Sequence, residues 1–143
     1  MHIDELIQLV IDNQVLSEGQ NTVELSIADD WTQGRTLFGG VSAGLTYMVC
    51  KPLVESNRVL RSFTTNFVGP LMSDKPFSIT AKVLRSGKNV AQIQAEIKQN
   101  DKYCLVAQAC FGVGRLSNIS VENTDKHSLE SPKKAKFIPQ IPK

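Results

Sequence analysis

Two neighbouring glycines lie near the beginning of a long uncharged segment of this chain, where backbone N–H groups could bind a carbonyl oxygen. Residues 38–55 are mostly small or apolar, carry no charge before Lys51 and include the pair Gly39-Gly40 near their start. This composition is typical of a buried helix. Backbone N–H groups at a helix start, together with the positive end of the helix dipole, can polarise a carbonyl oxygen. A second interpretation is that the glycines only let the helix pack closely against a sheet.

Three small polar residues, Ser62, Thr64 and Asn66, occupy every second position of a strand predicted after this helix. Spacing of two puts their side chains on one face of a strand. There they could hold a water molecule or bind a carbonyl group, or they could form an ordinary half-solvated surface. Gln108 is a polar residue in an otherwise apolar strand, so it either reaches the same place or satisfies a neighbouring backbone group.

Two cations flank the turn signal at residues 86–87. Arg85 and Lys88 share this predicted hairpin and are the cations that we favour for binding an anionic group. The chain as a whole has a formal charge of +2, from 16 Lys and Arg against 14 Asp and Glu. That excess is too small to indicate a nucleic-acid partner.

Histidine and cysteine chemistry is not favoured by the sequence. His2 and His127 lie in the terminal segments, so no Ser-His-Asp triad and no imidazole acid or base is predicted. The cysteines, Cys50, Cys104 and Cys110, are odd in number and lack both C-x-x-C spacing and neighbouring histidines. We interpret them as reduced core thiols and predict no metal site and no cofactor.

The elements that must position these groups follow from hydrophobic periodicity. Leu6, Ile7, Val10 and Ile11 recur at helical spacing and predict a short amphipathic N-terminal helix. Residues 22–27 alternate as a half-buried strand does. Four longer strands are predicted at 59–68, 77–85, 89–98 and 103–113. They form an antiparallel meander in which the last strand, apolar on both faces, is central.

One uncharged helix followed by long antiparallel strands predicts an α+β domain with a curved sheet wrapped around that helix. The helix is expected to span residues 38–55, to be surrounded on most sides, and to place Val41, Leu45, Met48 and Val49 in the core.

Length and composition predict one domain over residues 1–120. Residues 121–143 are polar and contain prolines, so we expect a tail or linker that is either mobile or docks only through Phe137 and Ile138. Residues 1–13 hold only a short apolar run among acidic residues, which predicts neither a secretory signal nor a membrane span. The cytoplasm is the expected compartment.

Several motifs in the right order carry a family resemblance. They are GRTLFGGVSAGL at 34–45, RSFTTNFVGP at 61–70, and VLRSGKN at 83–89 with QAE at 94–96 and ACFG at 109–112. Over residues 15–115 the chain resembles the N-terminal hotdog of the acyl-CoA thioesterase II (TesB-like) family. The resemblance implies a hotdog fold and hydrolysis of acyl-CoA to free acid and CoA.

The residues themselves suggest roles in such a reaction, and the resemblance exposes two departures. We expect Gly39 and Gly40 to polarise the thioester carbonyl, Ser62, Thr64 or Asn66 to handle water, and Arg85, Lys88 and Gln108 to bind substrate. The catalytic Asp and Gln that the family carries in its second hotdog match Ser62 and Cys110 here. These departures are typical of a non-catalytic half, so the alternative is a hotdog that binds acyl-CoA or serves as the structural half of a double-hotdog assembly.

The family pattern further implies a partner. It joins two hotdogs through a Pro-rich linker, and this chain reaches a Pro-containing tail where the second hotdog would begin. A lone hotdog leaves a sheet edge and an apolar surface uncovered, which favours association. We therefore expect a homodimer joined edge to edge, or a second hotdog, with the site near the interface.

Overall fold

A computed structural model of the chain describes residues 1–122, 124 and 128. The helices are α1 (Ile3–Asp12) and α2 (Gly39–Cys50), with short 3-10 turns at Asp29–Trp31 and Lys51–Leu53. The strands are β1 (Val15–Ser17), β2 (Gln20–Leu25), β3 (Thr32–Gln33), β4 (Thr36–Leu37), β5 (Val59–Phe67), β6 (Phe77–Ser86), β7 (Val90–Gln99) and β8 (Lys102–Gly112). The four long strands predicted from the sequence are present, each within one residue of its expected bounds, whereas the predicted helix is present but ends at Cys50, short of the expected residue 55.

Six of the strands form one antiparallel sheet in the order β1-β2-β6-β7-β8-β5. Strands β6, β7 and β8 follow one another as a meander, as predicted. Strand β5 does not continue that meander, because it pairs with β8 and not with the next strand in the chain. The connection from β5 to β6 therefore crosses the end of the sheet, and β5 becomes an edge strand.

Helix α2 packs across strands β2, β6, β7 and β8. Its Leu45 and Val49 are buried in the main core, as predicted. Val41 and Met48 are only half-buried and pack against the edge of that core. The expectation that both are fully enclosed was wrong, because the sheet covers one side of α2 and leaves the opposite side open. The helix itself ends at Cys50 since Pro52 follows within a 3-10 turn.

Helix α1 is amphipathic, as its periodicity predicts. His2 and Glu5 form a capping box, in which the His2 side chain accepts from Asp4 N–H and Glu5 accepts from His2 N–H. Leu6 and Val10 are buried against the rest of the domain. Thus α1 covers part of the open side of α2 and becomes one wall of the space above it.

The C-terminal end of α2 is fixed by a buried polar contact from the sheet. Asn21 on β2 is fully buried and donates from Nδ2 to Val49 O at 2.9 Å. Val49 O is one of the last carbonyls of the helix, and these carbonyls receive no hydrogen bond from N–H groups of the helix itself. The contact therefore fixes the position of α2 along the sheet.

We predict that Asn21→Ala lowers the free energy of unfolding by about 1–3 kcal/mol, because it leaves a buried carbonyl without a donor. Urea denaturation of the two proteins measures the difference. Thr22→Ala, the next residue along β2, is the matched control, since Thr22 is only half-buried. Equal stability of the Asn21→Ala and wild-type proteins would contradict the prediction.

The predicted tail falls largely outside the described residues, and Phe137 and Ile138 lie outside them. The segment leading to it is exposed, with Leu116, Ile119 and Val121 largely accessible. Across the part of the chain that the structure describes, no helix is both long and apolar enough to cross a bilayer.

Candidate functional site

The N-terminus of α2 presents two backbone donors. Phe38 is the N-cap residue in an extended conformation, and no side chain caps the helix there. The first helical bonds are made by Val41 N–H and Ser42 N–H, both to Phe38 O, at 3.0 and 3.1 Å. Among the described residues, the N–H groups of Gly39 and Gly40 have no acceptor. They are the donors that the sequence predicted for a carbonyl oxygen.

A small hairpin and a loop hold this helix start in place. Phe38 N–H donates to Trp31 O at 2.9 Å, and Leu37 N–H donates to Leu71 O at 2.8 Å. The loop that contains Leu71 is in turn held by Gln99, whose buried side chain exchanges hydrogen bonds with the Met72 backbone at 2.9 and 3.0 Å. The donors therefore rest on a rigid frame, and sequence reasoning missed the role of Gln99 in it.

Two clefts meet at the glycine pair. The first, of about 220 Å³, we call the mixed cleft; it includes Gly39 and is lined by Gln33, Thr36, Leu37, Ser42, Phe67, Gly69, Pro70, Leu71, Cys104 and Leu105. The second, of about 570 Å³, we call the apolar cleft; it includes Gly40 and is lined by Ile3, Leu6, Ile7, Trp31, Phe38, Val41, Gly44, Leu45, Tyr47 and Met48. A carbonyl bound at the helix start would thus have the mixed cleft on one side and the apolar cleft on the other.

Aromatic rings lie close to both glycines. A Cβ atom added to Gly39 would lie 3.1 Å from Phe67 Cζ, and one added to Gly40 would lie 2.6 Å from Phe38 Cε1. The close-packing interpretation of the pair therefore also describes what is observed. The two interpretations are compatible, because the absence of side chains admits the rings while both N–H groups have no acceptor among the described residues.

Acid–base and thiolate groups are not supplied by the walls of these clefts. Within the described chain, neither cleft is lined by an Asp, Glu or His. Burial raises the pKa of the Cys104 thiol, which lines the mixed cleft, and raises that of Cys50 to about 12. Neither thiol supplies a nucleophilic thiolate near neutral pH. The described residues also contain no group of three or more metal-ligating side chains.

The row Ser62, Thr64 and Asn66 lies on the other side of the sheet. Phe63, between them, packs toward α2 and contacts Tyr47 edge-on with ring centroids 6.3 Å apart. Because successive strand residues face opposite ways, the polar row points away from α2, and its three members are exposed. The sequence had placed this row beside the helix. In one chain the row does not meet Gly39 and Gly40.

Gln108 lies beside that polar row and not beside the helix start. It pairs with Thr64 across β5 and β8, and both residues line a shallow outer cleft with Asn66 and Gln94. The predicted proximity of Gln108 to the row is therefore observed. Its predicted alternative, satisfying a buried backbone group, does not fit an exposed side chain.

Arg85 and Lys88 share the β6–β7 hairpin and line a cleft of about 330 Å³ there. Through successive strand pairs, Arg85 lies in the same row of the sheet as Ser62. Gly39 lies against Phe67, five residues further along β5, which is about 17 Å at 3.3 Å per residue. In one chain, the two cations and the glycine pair are therefore at opposite ends of the sheet.

Edge strand β5 leaves both its backbone and apolar side chains uncovered. Val59, Leu60, Phe67 and Val68, at the two ends of the strand, are 38–60% exposed. Val68 N–H donates to Cys104 O at 2.9 Å, so alternate residues counted back from Val68 bond to β8. The N–H groups of residues 63, 65 and 67 consequently point to the open edge. A nine-residue edge of this kind is suited to pairing with another strand.

Sequence reasoning missed the apolar cleft altogether. The small residues Ser42, Ala43 and Gly44 were expected to let a backbone or ligand approach the helix closely, but the sequence did not place the apolar residues of α1 beside them. The sequence signal for this cleft was the pair of apolar residues Ile3 and Ile7 on the amphipathic helix. The structure shows that both are exposed, although the neighbouring Leu6 is buried. The sequence cannot show which apolar face lines an open space, because that depends on how α1 crosses α2.

The sequence matches a known family over most of the sheet. A family model described as acyl-CoA thioesterase N-terminal domain matches residues 27–112. This range includes the helix start, both sides of the mixed cleft and all of β5 to β8. A search of the curated proteins finds no match to the sequence.

Solved structures share the architecture at low sequence identity. The Escherichia coli PaaI protein from the phenylacetic acid degradation operon has a TM-score of 0.66 and 17% identity, over 78% of this chain and 92% of that chain. Zebrafish thioesterase superfamily member 2 has a TM-score of 0.66 and 20% identity, over 73% and 84%. An HP0420 homologue from Helicobacter felis has a TM-score of 0.65 and 14% identity, over 74% and 80%. These likenesses confirm the predicted hotdog fold.

Proposed function

Because this chain belongs to the acyl-CoA thioesterase N-terminal domain family, we propose that it hydrolyses acyl-CoA thioesters to free acid and CoA, acting as a homodimer. The observation that carries this proposal is the helix start, where the N–H groups of Gly39 and Gly40 open between a mixed and an apolar cleft. A thioester carbonyl at this junction would have its oxygen at the donors, with the CoA and acyl parts leading away on different sides.

The reaction needs charge stabilisation more than it needs a strong nucleophile. Water oxygen attacks the carbonyl carbon, and the carbonyl oxygen becomes an oxyanion held by the two N–H groups. The carbon–sulfur bond then breaks, the CoA thiolate takes up the proton that the attacking water gives up, and the carboxylic acid is released. Preorganised donors at a helix start favour this oxyanion because the helix dipole adds to their partial charge.

The position of the water-handling group is a second part of the proposal. Gln33, Thr36 and Ser42 line the mixed cleft beside Gly39, and their amide and hydroxyl groups can hold a water molecule on that side. The assignment to Ser62, Thr64 or Asn66 stays a prediction from the sequence. Comparing Thr36→Val with Asn66→Ala distinguishes the two, since they lie on opposite faces of the sheet.

We further propose that two copies pair through β5. A two-fold axis perpendicular to the sheet makes the two β5 strands antiparallel and the sheet continuous. The start of β5 in the partner then lies beside the end of β5 in the first copy, where Gly39 contacts Phe67. This brings the basic hairpin of one copy, with Arg85 and Lys88, to the same end of the joined sheet as the helix start of the other.

This arrangement explains why the cations and the donors are separated within one chain. CoA carries its phosphates far from the thioester, joined by the long pantetheine arm. In the dimer, the hairpin cations of one copy are the groups that we propose to bind those phosphates. The second copy also takes the place of the second hotdog in a TesB-like double-hotdog chain, and we expect this assembly to work on fatty acyl-CoA in the cytoplasm.

A second function is favoured by one specific observation. In the described chain no carboxylate or imidazole lines either cleft, and a hotdog without such a group could bind acyl-CoA or complete a double-hotdog assembly without hydrolysing it. The same helix start and the same clefts would then serve binding alone.

We predict that the purified chain releases free CoA from at least one member of an acyl-CoA series running from acetyl-CoA to palmitoyl-CoA. A thiol-reactive dye measures the release, and parallel calorimetry measures binding. Thr36→Val and Asn66→Ala, assayed together, show which face holds the water. Tight binding without release for any chain length would reject the hydrolase and support the non-catalytic alternative.

A further inference from the structure

The apolar cleft over α2 adjoins the proposed carbonyl site, but the proposed function does not say which part of the substrate occupies it. It lies over the side of the helix that the sheet leaves open, where Gly40 and Gly44 are both exposed. Residues four apart in a helix lie on the same face, so the two glycines form a side-chain-free track along α2. Ile3 and Ile7 of α1 stand on one side of this track.

We propose that this cleft binds the acyl chain of the substrate and that Gly44 determines how long a chain it accepts. The inference rests on the proposed function, because it assigns the acyl part of the same thioester. It concerns binding as well as turnover, so the two can be tested separately.

Continuity with the helix start identifies the occupant. Gly40 both lines the apolar cleft and carries one of the two free N–H groups. A carbonyl bound to that donor therefore has the cleft directly beside it, and the substituent that enters the cleft must be attached to the carbonyl carbon. In an acyl-CoA, one substituent is the polar CoA arm and the other is the hydrocarbon chain. The hydrocarbon chain is the one that an apolar wall favours.

The size and composition of the cleft agree with this occupant. Its volume of about 570 Å³ lies within the range of roughly 300–1,000 Å³ usual for ligand pockets. Each methylene buried there would strengthen binding roughly fourfold. The indole Nε1 of Trp31, at the cleft wall, is buried and has no hydrogen-bond partner in the described part of the chain. The other wall residues are mainly aliphatic or aromatic, so the cleft selects for apolar bulk and not for a particular polar group.

At Gly44, the lack of a side chain leaves space in the apolar cleft. A Cβ atom added there meets nothing within 4 Å, so a side chain at this position would extend into the cleft without displacing its walls. Glycine is also a poor residue for a helix interior, and nearly any replacement except proline would raise helix propensity. Its presence within α2 therefore needs a reason other than helix stability, and access to the cleft supplies one.

The chain has one tryptophan, Trp31, and it lines this cleft. Its fluorescence can therefore report whether the cleft is occupied. Fatty acids that carry bromine on the hydrocarbon chain quench a tryptophan only when they come close to it, so saturable quenching of Trp31 measures occupancy without any hydrolysis. We expect such quenching with brominated palmitate in the wild-type protein. Gly44→Phe is expected to weaken this binding about tenfold or more, since it removes space for several methylenes.

Two variants control for unrelated effects of the substitution. Gly44→Ala adds only a methyl group and is expected to keep binding within about threefold of the wild type. Gln8→Phe adds the same ring to an exposed position of α1 that does not line the cleft, and it is expected to leave quenching unchanged. Circular dichroism confirms that all three variants keep the fold.

Turnover provides the second readout. If the chain is a hydrolase, Gly44→Phe should lower kcat/KM for palmitoyl-CoA about tenfold or more and leave kcat/KM for acetyl-CoA near the wild-type value. If no variant hydrolyses any acyl-CoA but the Trp31 quenching pattern holds, the cleft assignment stands and the hydrolase proposal fails. Absence of saturable quenching, or equal loss for short and long chains, overturns the cleft assignment. A changed oligomeric state in Gly44→Phe with unchanged quenching would also overturn it, by making this face a contact between copies.

Discussion

Replacing Gly39 with proline is expected to lower kcat for acyl-CoA hydrolysis by about 10²–10³-fold, the usual cost of removing one oxyanion donor. Proline has no backbone N–H, so the substitution deletes the proposed donor itself. The helix tolerates it, because Gly39 is the first helical residue and its N–H makes no helical bond. Phe38, which precedes it, already has φ −58° and ψ 130°, the extended conformation that proline requires of the preceding residue.

Gly39→Ala is the matched control for this experiment. It places a Cβ atom near Phe67, as the proline ring also does, but retains the N–H group. We expect Gly39→Ala to keep most of the activity and Gly39→Pro to lose it, with closely similar thermal unfolding for the two. Stopped-flow or steady-state CoA release measures kcat. Equal loss in both variants would show that space around Phe67, and not the donor, is what the reaction needs.

Replacing Thr65 with proline is expected to raise the dissociation constant of the proposed homodimer by roughly 10²-fold. The N–H of Thr65 points to the open edge of β5, since Val68 N–H faces β8 and the direction alternates along the strand. Proline there removes one interchain hydrogen bond from each copy, about 1.4 kcal/mol for each of the two. Because no bond to β8 is lost, the monomer should remain folded.

Sedimentation equilibrium measures this dissociation constant, with Thr65→Val as the control that keeps both the N–H and a β-branched side chain. Activity should fall with the dimer fraction, because the proposed phosphate-binding hairpin belongs to the opposite copy. A Thr65→Pro protein that stays dimeric would reject pairing through β5. A monomeric and fully active Thr65→Pro protein would show that one chain holds the whole site.

These variants separate the two halves of the proposed mechanism. Gly39→Pro acts on charge stabilisation within one copy and should reduce kcat without changing assembly. Thr65→Pro acts on assembly and should reduce activity in a concentration-dependent way, which excess protein partly restores. If both behave as expected, a helix start from one copy and a cationic hairpin from the other are both required.

Local sequence patterns predicted the secondary structure closely and the fold class correctly. Alternation along residues 89–98 and the uncharged run after Gly39 depend on which residues are apolar, and such patterns are local properties of a chain. The order of motifs around the helix start and β5 also sufficed to identify the hotdog, which the solved structures confirm. The glycine pair was recognised as a helix start for the same local reason.

Long-range packing sets which faces and which ends of the elements come together. The sequence showed that Ser62, Thr64 and Asn66 share one face of a strand, but it could not show that this face turns away from α2. That choice depends on the neighbour: Phe63 packs on Tyr47 and fixes the orientation of the whole strand. In the same way, β5 pairs with β8 and not with β6, so β5 lies at the edge of the six-stranded sheet. The order of the strands along the chain does not show this pairing.

Distance was the other property that the sequence did not determine. Arg85 and Gly39 belong to motifs of one family resemblance, yet the register from β6 through β7 and β8 to β5 puts them at opposite ends of the sheet. The sequence indicated that a backbone or ligand could approach Gly44 but not that an apolar cleft lies there, because an open space is a property of two crossing helices and neither α1 nor α2 encodes it alone. Residue types and their hydrophobic periodicity are therefore local properties of the chain. The order of the strands, the direction in which each strand face points and the positions of cavities arise from long-range packing.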